Sequence, residues 1–184
     1  MDPDEQSKSL FESLHSLRNV LADKNVIQII HPGAVWNASF TWHPPASQET
    51  VSNIEAALGK KLPKDFALFL VNVSDGVVLY YDIKYGQWGY RIFGSSEIIE
   101  KQAEWEKFLG DLWVESFTAI GEIIDENHPI IFNSKVISPD KLSQQLIEGN
   151  PLDPIVYWKK MAISFHEWVD HLITAQGAKF WDWK

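Results

Sequence analysis

The stretch Glu55–Leu70, EAALGKKLPKDFALFL, contains two helical patterns that meet within four residues. The first pattern ends at Gly59, because glycine takes a positive φ at low cost and so ends a helix. The second begins at Leu62-Pro63, because proline suits the first turn of a helix, where its missing N–H costs nothing. We expect this helix corner to be structural, with Leu58 and Leu62 buried on either side of the break.

The composition is that of an ordinary globular domain. The 184 residues are 45% hydrophobic and 22% charged, and a chain of this length folds as one domain without cross-links. There is no cysteine, which excludes disulfides, thiolate catalysis and cysteine zinc sites. The N-terminal residues lack the basic and apolar regions of a secretion signal, and the apolar runs are too short to span a membrane. We therefore expect a cytoplasmic protein that does not enter a membrane.

The formal charge is strongly negative. The chain has 25 acidic residues against 16 lysines and arginines, which gives −9 at pH 7. This balance opposes direct nucleic-acid binding, which needs a basic surface to neutralise phosphates. It favours a basic partner, because complementary charge speeds encounter. Many soluble proteins are also acidic without any special reason.

Hydrophobic periodicity predicts the element order α-β-αα-ββ-α-ββ-α-β-α. The first helix has an apolar stripe of four leucines: Leu10, Leu14, Leu17 and Leu21. Ser47 caps a helix over 48–58, and Ser95 or Ser96 caps the helix that follows the central strand pair. Short hairpin-connected strands flanked by helices indicate a single α+β domain over 1–184 with a mostly antiparallel sheet.

The C-terminal third is predicted as a helix, a strand and a helix. Ser138-Pro139 begins a helix that ends at Gly149, and PIVYW over 154–158 is the last strand. The final helix opens with a capping box from Ser164 to Glu167.

The run Val51–Gly76, VSNIEAALGKKLPKDFALFLVNVSDG, resembles the signature of the SUKH superfamily, the family of the yeast Smi/Knr cell-wall assembly regulators and their bacterial relatives. Positions that match the family pattern follow its order: Ile54, Glu55, Leu58, Gly59, Leu62, Pro63, Phe66, Phe69, Leu70 and Gly76. Downstream, RIFGSSEI, AIGEII and ISFHEWVDHLI are similar to later strands and helices of the family. The resemblance covers roughly residues 40–174 and implies a SUKH-like domain, preceded by a helix and followed by a short aromatic tail.

Motifs for catalysis or cofactor binding are missing from the sequence. It contains no phosphate-binding loop, no dinucleotide fingerprint and no serine-hydrolase elbow. His166 and His171 are five residues apart, so they do not share a helix face as zinc ligands. Asp125, Glu126 and His128 form an acid–base-like group, which a solvated hairpin turn explains better. We expect no enzyme activity, no catalytic residue, no metal and no cofactor.

The segment 77–92, VVLYYDIKYGQWGYRI, predicts an aromatic and acidic surface. Strand alternation places Tyr80 and Asp82 on one face, while Tyr85 and Trp88 lie in or beside the following turn. Such side chains on an exposed sheet face suit a protein partner, so we expect Tyr80, Asp82, Tyr85 and Trp88 to contact one. The alternative is that a helix covers this face.

The C-terminal tail KFWDWK contains a second aromatic patch: Phe180, Trp181 and Trp183. These residues either pack back onto the domain or offer an exposed patch. The nine tryptophans of the chain leave both readings open, because aromatic residues fill cores as well as anchor interfaces.

Many bacterial SUKH proteins look like immunity proteins, which bind and neutralise a specific toxin, often a nuclease. The resemblance therefore implies a non-enzymatic domain that binds a basic toxin domain, which suits the acidic charge. A second reading is a regulatory scaffold that binds a host protein, as the yeast relatives look to be. A third is a carbohydrate or cell-wall ligand module, which clustered exposed tryptophans in a groove would favour.

Overall fold

A computed structural model describes residues 11–21, 24–31, 34–134 and 145–183 of the chain. These residues contain five α-helices and eight β-strands. In chain order they are α1 (Glu12–Val20), β1 (Val26–His31), β2 (Ala34–Trp42), α2 (Gln48–Leu58), α3 (Lys64–Asn72), β3 (Val77–Asp82), β4 (Tyr90–Ile92), α4 (Ile98–Leu109), β5 (Phe117–Ile123), β6 (His128–Asn133), β7 (Gln145–Glu148), β8 (Lys159–Ala162) and α5 (Phe165–Thr174). None of the described helices is long and apolar enough to cross a membrane.

The eight strands form one antiparallel sheet in which every strand pairs with its neighbours along the chain. The spatial order is therefore β1 to β8, and β1 and β8 are the two edges. This confirms the predicted α+β class with an antiparallel sheet. Two of the connections are long and contain helices, α2 and α3 between β2 and β3 and α4 between β4 and β5, yet the strands that they join still pair antiparallel.

A cluster of aromatic rings joins α1, α3 and α5. The ring of Phe165 in α5 lies 5.3 Å from Phe66 and 5.2 Å from Phe69, measured between centroids. Phe11, just before α1, lies 5.9 Å from Phe69. All four side chains are fully buried, and tilted or edge-on pairs of this kind add about 0.5–1.5 kcal/mol each beyond their buried area.

The first helix, α1, packs as its sequence predicts, and the last helix, α5, begins as its sequence predicts. The stripe of α1 is buried at Leu14, Leu17 and Leu21, whereas Leu10 lies outside the described residues. The N-terminus of α5 is capped by Ser164, whose Oγ accepts a 3.0 Å hydrogen bond from the backbone N–H of Glu167.

The helix corner has the predicted backbone. Gly59 ends α2 with φ +65°, and α3 starts directly after Pro63. The Glu55 carboxylate spans the break, because it accepts a 3.1 Å hydrogen bond from the backbone N–H of Leu62. Leu62 is buried, but Leu58 is only partly buried. The expectation of a fully buried Leu58 is wrong, because this side chain lines an open cleft.

Gly76, the last residue of the SUKH-like pattern, packs against the backbone after β4. It has φ +85°, and a Cβ placed there would lie 2.7 Å from the backbone nitrogen of Gly94. The neighbouring Asp75 carboxylate accepts hydrogen bonds from the backbone N–H and the hydroxyl of Ser95. The predicted capping of α4 by Ser95 is therefore wrong, since Ser95 is held by Asp75.

The same helix is not capped by the other serine candidate. Its N-cap position is Glu97, without a side-chain cap hydrogen bond. Ser96 lies one residue too early, within the turn that follows β4.

Two predicted elements near the C-terminus are different in the structure. The predicted helix up to Gly149 ends instead in strand β7, in which Leu146 and Ile147 are buried between β6 and β8. Sheet pairing here overrides local helical preference. The first part of that predicted helix, 138–144, lies outside the described residues. The PIVYW segment forms the 3-10 helix Ile155–Tyr157, and the strand begins only at Lys159.

Candidate functional site

Two of the four predicted partner-binding residues are buried. Tyr80 is 1% exposed and Asp82 is 5% exposed, so the expectation that they form an exposed sheet face is wrong. The cause is a change of phase within β3. Tyr80 has φ +54°, and it lies opposite a register shift between Ser39 and Thr41 in β2. Such an irregularity reverses the alternation of side chains, and consequently Leu79 and Tyr80 are both buried.

The segment after α5 covers Tyr80. Gly177 lies so close to the Tyr80 ring that a Cβ would be 2.6 Å from its Cγ, and its φ of +82° also favours glycine. The carbonyl oxygen of Gly177 accepts hydrogen bonds from Tyr90 Oη at 2.8 Å and from Trp88 Nε1 at 3.1 Å. The C-terminal segment therefore packs directly on the aromatic residues of β3 and β4.

The two aromatic patches predicted from the sequence form one structural unit. Trp181 and Tyr90 have ring centroids 6.1 Å apart, and Trp88 lies 6.5 Å from Tyr90. Phe180 and Trp181 are half-buried against the core, while Trp183 is 67% exposed. The tail is thus mainly packed onto the domain and leaves one tryptophan open to solvent.

A buried ionic cluster fixes the same tail. Glu148, at the end of β7, is 3% exposed and accepts hydrogen bonds from Lys179 Nζ at 3.0 Å and Trp181 Nε1 at 2.8 Å. His128 Nδ1 lies 2.8 Å from the same carboxylate. Glu126, in the turn between β5 and β6, also contacts Lys179 and His128. These five residues are referred to below as the Glu148 cluster.

Electrostatics distinguish the carboxylates of this region. Burial favours the neutral form of Glu148, but hydrogen bonds from His128 and Trp181 and the Lys179 ammonium outweigh it and lower its pKa to about 2. Burial raises the pKa of Glu126, which also lies beside the charged Glu148. Burial likewise raises the pKa of Asp125. Glu148 therefore stays negatively charged in the folded protein at neutral pH.

The Glu148 cluster fits a structural role better than a chemical one. Glu126, His128 and Glu148 offer ligand atoms within 4.8 Å of one another, a spacing that a metal ion accepts. However, the Lys179 ammonium contacts both carboxylates and already supplies the positive charge between them. Glu148 has donors on both oxygens, so it is poorly placed to exchange protons with a substrate. The cluster holds the tail in place.

Sequence reasoning identified only part of this cluster. Asp125, Glu126 and His128 stood out because they are adjacent, and the turn is exposed at its two acids as predicted. Glu148 and Lys179 gave no signal, because they meet only when β7 and the tail come together.

The accessible part of the predicted surface is a groove beside the β3–β4 loop. It has a volume of about 350 Å³ and is lined by Val35, Trp36, Asn37, Asp82, Lys84, Tyr85 and Gln87. Tyr85 and Val35 are each 64% exposed, and the adjacent Ile83 is 52% exposed. The Lys84 ammonium lies 4.6 Å from the centre of the Tyr85 ring. We refer to this feature as the Tyr85 groove.

Two other clefts are larger. One, of about 560 Å³, lies beside Arg91 and Glu97, and Arg91 is paired with Glu122 at 3.2 Å. The other, of about 490 Å³, adjoins the helix corner at Leu58 and Lys60. Burial lowers the pKa of Lys60, whose ammonium donates to backbone carbonyls that include Phe117 O. The basic side chains Arg91 and Lys60 are therefore engaged within the protein.

The tryptophans do not form an open platform for sugar stacking. Trp105 and Trp168 are buried, and Trp183 is exposed. The other six are partly buried against the core: Trp36, Trp42, Trp88, Trp113, Trp158 and Trp181. Trp36 and Trp88 contact each other, with ring centroids 5.4 Å apart, but only Trp183 is exposed, which disfavours the carbohydrate-module reading.

Comparison with known proteins gives relatives but no function. No protein-family model matches the chain. The uncharacterized protein YobM of Bacillus subtilis (strain 168) is 24% identical over 182 residues, covering 94% of this chain and 91% of YobM. The uncharacterized protein YnaB of the same organism is 25% identical over 146 residues, covering 79% of this chain and 89% of YnaB. The chain is similar to both along most of its length.

Proposed function

We propose that this chain is a non-enzymatic protein-binding domain that neutralises a basic toxin domain in the cytoplasm, as an immunity protein. The observation that carries the proposal is the Tyr85 groove, an accessible concave site rimmed by exposed apolar side chains. The SUKH-like helix corner, with its buried Leu62 and its bridging Glu55, supports the family resemblance that suggests this class of function.

The charge of the chain supports a basic partner. At −9, the domain attracts a cationic protein over several ångströms before contact, which raises the association rate. Exposed ion pairs contribute only about 0–1 kcal/mol each, so tight inhibition also needs desolvated anchors. Aromatic residues at the centre of an interface are the usual anchors.

The burial of Tyr80 and Asp82 changes which residues serve as anchors. Tyr85, Val35 and Ile83 have exposed side chains at the groove, and we assign the main contacts to them. Trp88 lies behind the groove and donates to the Gly177 carbonyl, so its role is to support the surface.

Affinity capture tests the proposal. Tagged protein is used to capture the products of neighbouring genes, and we expect it to retain a basic protein whose toxicity it suppresses. The Tyr85→Ala variant should retain much less of that protein. Tyr157→Ala is the matched control, because Tyr157 is 71% exposed on the β7–β8 connection.

Capture of a non-toxic host protein would instead favour the regulatory scaffold, and capture of none would contradict the proposal.

A further inference from the structure

The two edges of the sheet differ in how well they are protected from pairing. Strand β8 has four residues, begins with two exposed lysines and shifts register against β7. Lys159 is also paired at 2.8 Å with Asp182 of the tail. Short length, lysines and irregular pairing are the features that keep an edge strand from adding another strand.

Strand β1 has none of these protections. Its six residues, VIQIIH, include no proline, lysine or acid, and its pairing with β2 is regular from Val26 to His31. Four of the six are valine or isoleucine, which favour extended backbone. A regular, uncharged, β-branched edge is a template for another strand.

The register shows which backbone groups of β1 point outward. Phe40 N donates to Asn25 O, so these opposite residues form a hydrogen-bonded pair. Residues of the same parity in β1 turn their backbone groups toward β2. The alternate residues Val26, Gln28 and Ile30 therefore turn their N–H and C=O groups away from the sheet. Among the described residues, no hydrogen bond joins these groups to another element.

We propose that β1 pairs antiparallel with β1 of a second copy of this chain, which joins the two sheets into one. The outward groups fit this occupant, because the edge is complementary to itself. With Gln28 opposite Gln28 of the second copy, Val26 lies opposite Ile30 and every outward donor meets an outward acceptor. Each hydrogen-bonded pair exchanges two bonds, so the three pairs form six.

The same register keeps the two faces of the sheet aligned. With Gln28 opposite Gln28, odd-numbered residues always lie opposite odd-numbered residues of the second copy, and even opposite even. The side chains of each face therefore continue onto the same face of the second sheet. Ile29, which is buried, and Ile27, which is partly buried, then meet their counterparts on the core side. Gln28, which is exposed, meets its own copy on the solvent side at the two-fold axis.

Mass measurement at increasing concentration tests this pairing. Light scattering should give a mass that rises with concentration from 21.1 kDa toward twice that value. Gln28→Lys places two like charges opposite each other and should weaken the dimer at least tenfold. Gln48→Lys makes the same chemical change at an exposed position at the start of α2 and should leave the mass curve unchanged. Circular dichroism of both variants should show that the monomer remains folded.

A charge-swap experiment distinguishes this pairing from any other contact. An equimolar mixture of the Gln28→Lys and Gln28→Glu proteins should form a heterodimer in native mass spectrometry, because opposite charges then meet at the axis. A monomeric mass at every concentration, or a dimer unaffected by Gln28→Lys, would overturn the proposal. Protection of the β1 amides from hydrogen exchange only in the presence of a different protein would also overturn it.

Discussion

The hydroxyl of Tyr90 donates a 2.8 Å hydrogen bond to the carbonyl of Gly177. Burial raises the pKa of Tyr90 well above its ordinary value, so this hydroxyl remains a donor at any physiological pH. The bond connects β4, near the middle of the sheet, to the segment that follows the last helix. It makes the β3–β4 aromatics and the C-terminal tail a single packed unit.

Tyr90→Phe should destabilise the protein by about 0.5–1.5 kcal/mol, the usual net contribution of one hydrogen bond. The variant keeps the ring and loses the hydroxyl, while the Gly177 carbonyl still accepts from Trp88 Nε1. Urea denaturation followed by tryptophan fluorescence measures the effect. Tyr157→Phe, at an exposed site, is the control and should leave the free energy of unfolding unchanged. Equal stability of the two variants would show that the Tyr90 bond does not hold the tail.

Glu148→Gln should destabilise the protein at pH 7, and the loss should shrink in acid. The pKa of Glu148 is lowered from 4.5 to about 2 in the folded state. A lowered carboxyl pKa stabilises the fold above the unfolded pKa, and this contribution disappears as the pH falls from about 4.5 toward 2. Unfolding curves of wild type and variant at several pH values measure the difference. A constant difference across that range would contradict the assignment.

Asp125→Asn should act in the opposite direction. The Asp125 side chain is exposed overall, but partial burial of its carboxyl group raises its pKa, so the charged form is disfavoured in the folded state and reduces stability at neutral pH. The variant should therefore have a higher free energy of unfolding than the wild type at pH 7. This difference should shrink at acidic pH, where Asp125 itself is uncharged. The same pH series measures this change, and a loss of stability at pH 7 would contradict the prediction.

Leu62→Ala should cost about 2–5 kcal/mol, the range for truncating a buried leucine. Leu62 is 5% exposed and is fixed by the bond from its N–H to Glu55. Leu58→Ala should cost clearly less, because Leu58 is only partly buried and lines an open cleft. Chemical denaturation of the two variants provides the comparison. Equal losses would show that Leu58 contributes to the core as much as Leu62.

Gly76→Ala should destabilise the protein more than Gly59→Ala. Both glycines have positive φ, so both variants bear that cost of about 1–2 kcal/mol. A Cβ at Gly76 would also lie 2.7 Å from the backbone of Gly94, whereas one at Gly59 meets nothing within 4 Å. Thermal unfolding of the two variants should therefore give a lower midpoint for Gly76→Ala. The reverse order would contradict the packing of Gly76 on Gly94.

The sequence predicted the elements whose determinants are local. The Ser47 cap, the Gly59 stop and the Pro63 start each lie directly beside the helix end that they determine, and the helices were predicted correctly. The apolar stripe of α1 and the cap of α5 are local in the same sense. Each of these features depends on periodicity or on capping chemistry that neighbours in the chain supply.

The errors occurred where distant segments meet. Tyr80 and Asp82 were predicted exposed because strict alternation was assumed. The register shift between β2 and β3, where Leu79 and Tyr80 both lie opposite Phe40, changes the phase of β3 and has no signal in either strand alone. Ser95 was predicted to cap a helix, but its N–H and hydroxyl donate instead to Asp75, which lies twenty residues earlier in the chain. The role of Glu148 depends on its contact with Lys179, which lies 31 residues later in the chain. Tertiary contacts of this kind override local propensity.

The central claim is that the Tyr85 groove of this acidic domain binds a basic toxin domain, and the most direct test is the binding kinetics of the captured partner. We predict that Tyr85→Ala raises Kd at least tenfold, mainly by faster dissociation, while Tyr157→Ala changes it less than twofold. Raising the salt concentration should slow association of all three proteins, because the encounter is electrostatic. An unchanged Kd for Tyr85→Ala, or an association rate independent of salt, would contradict the claim.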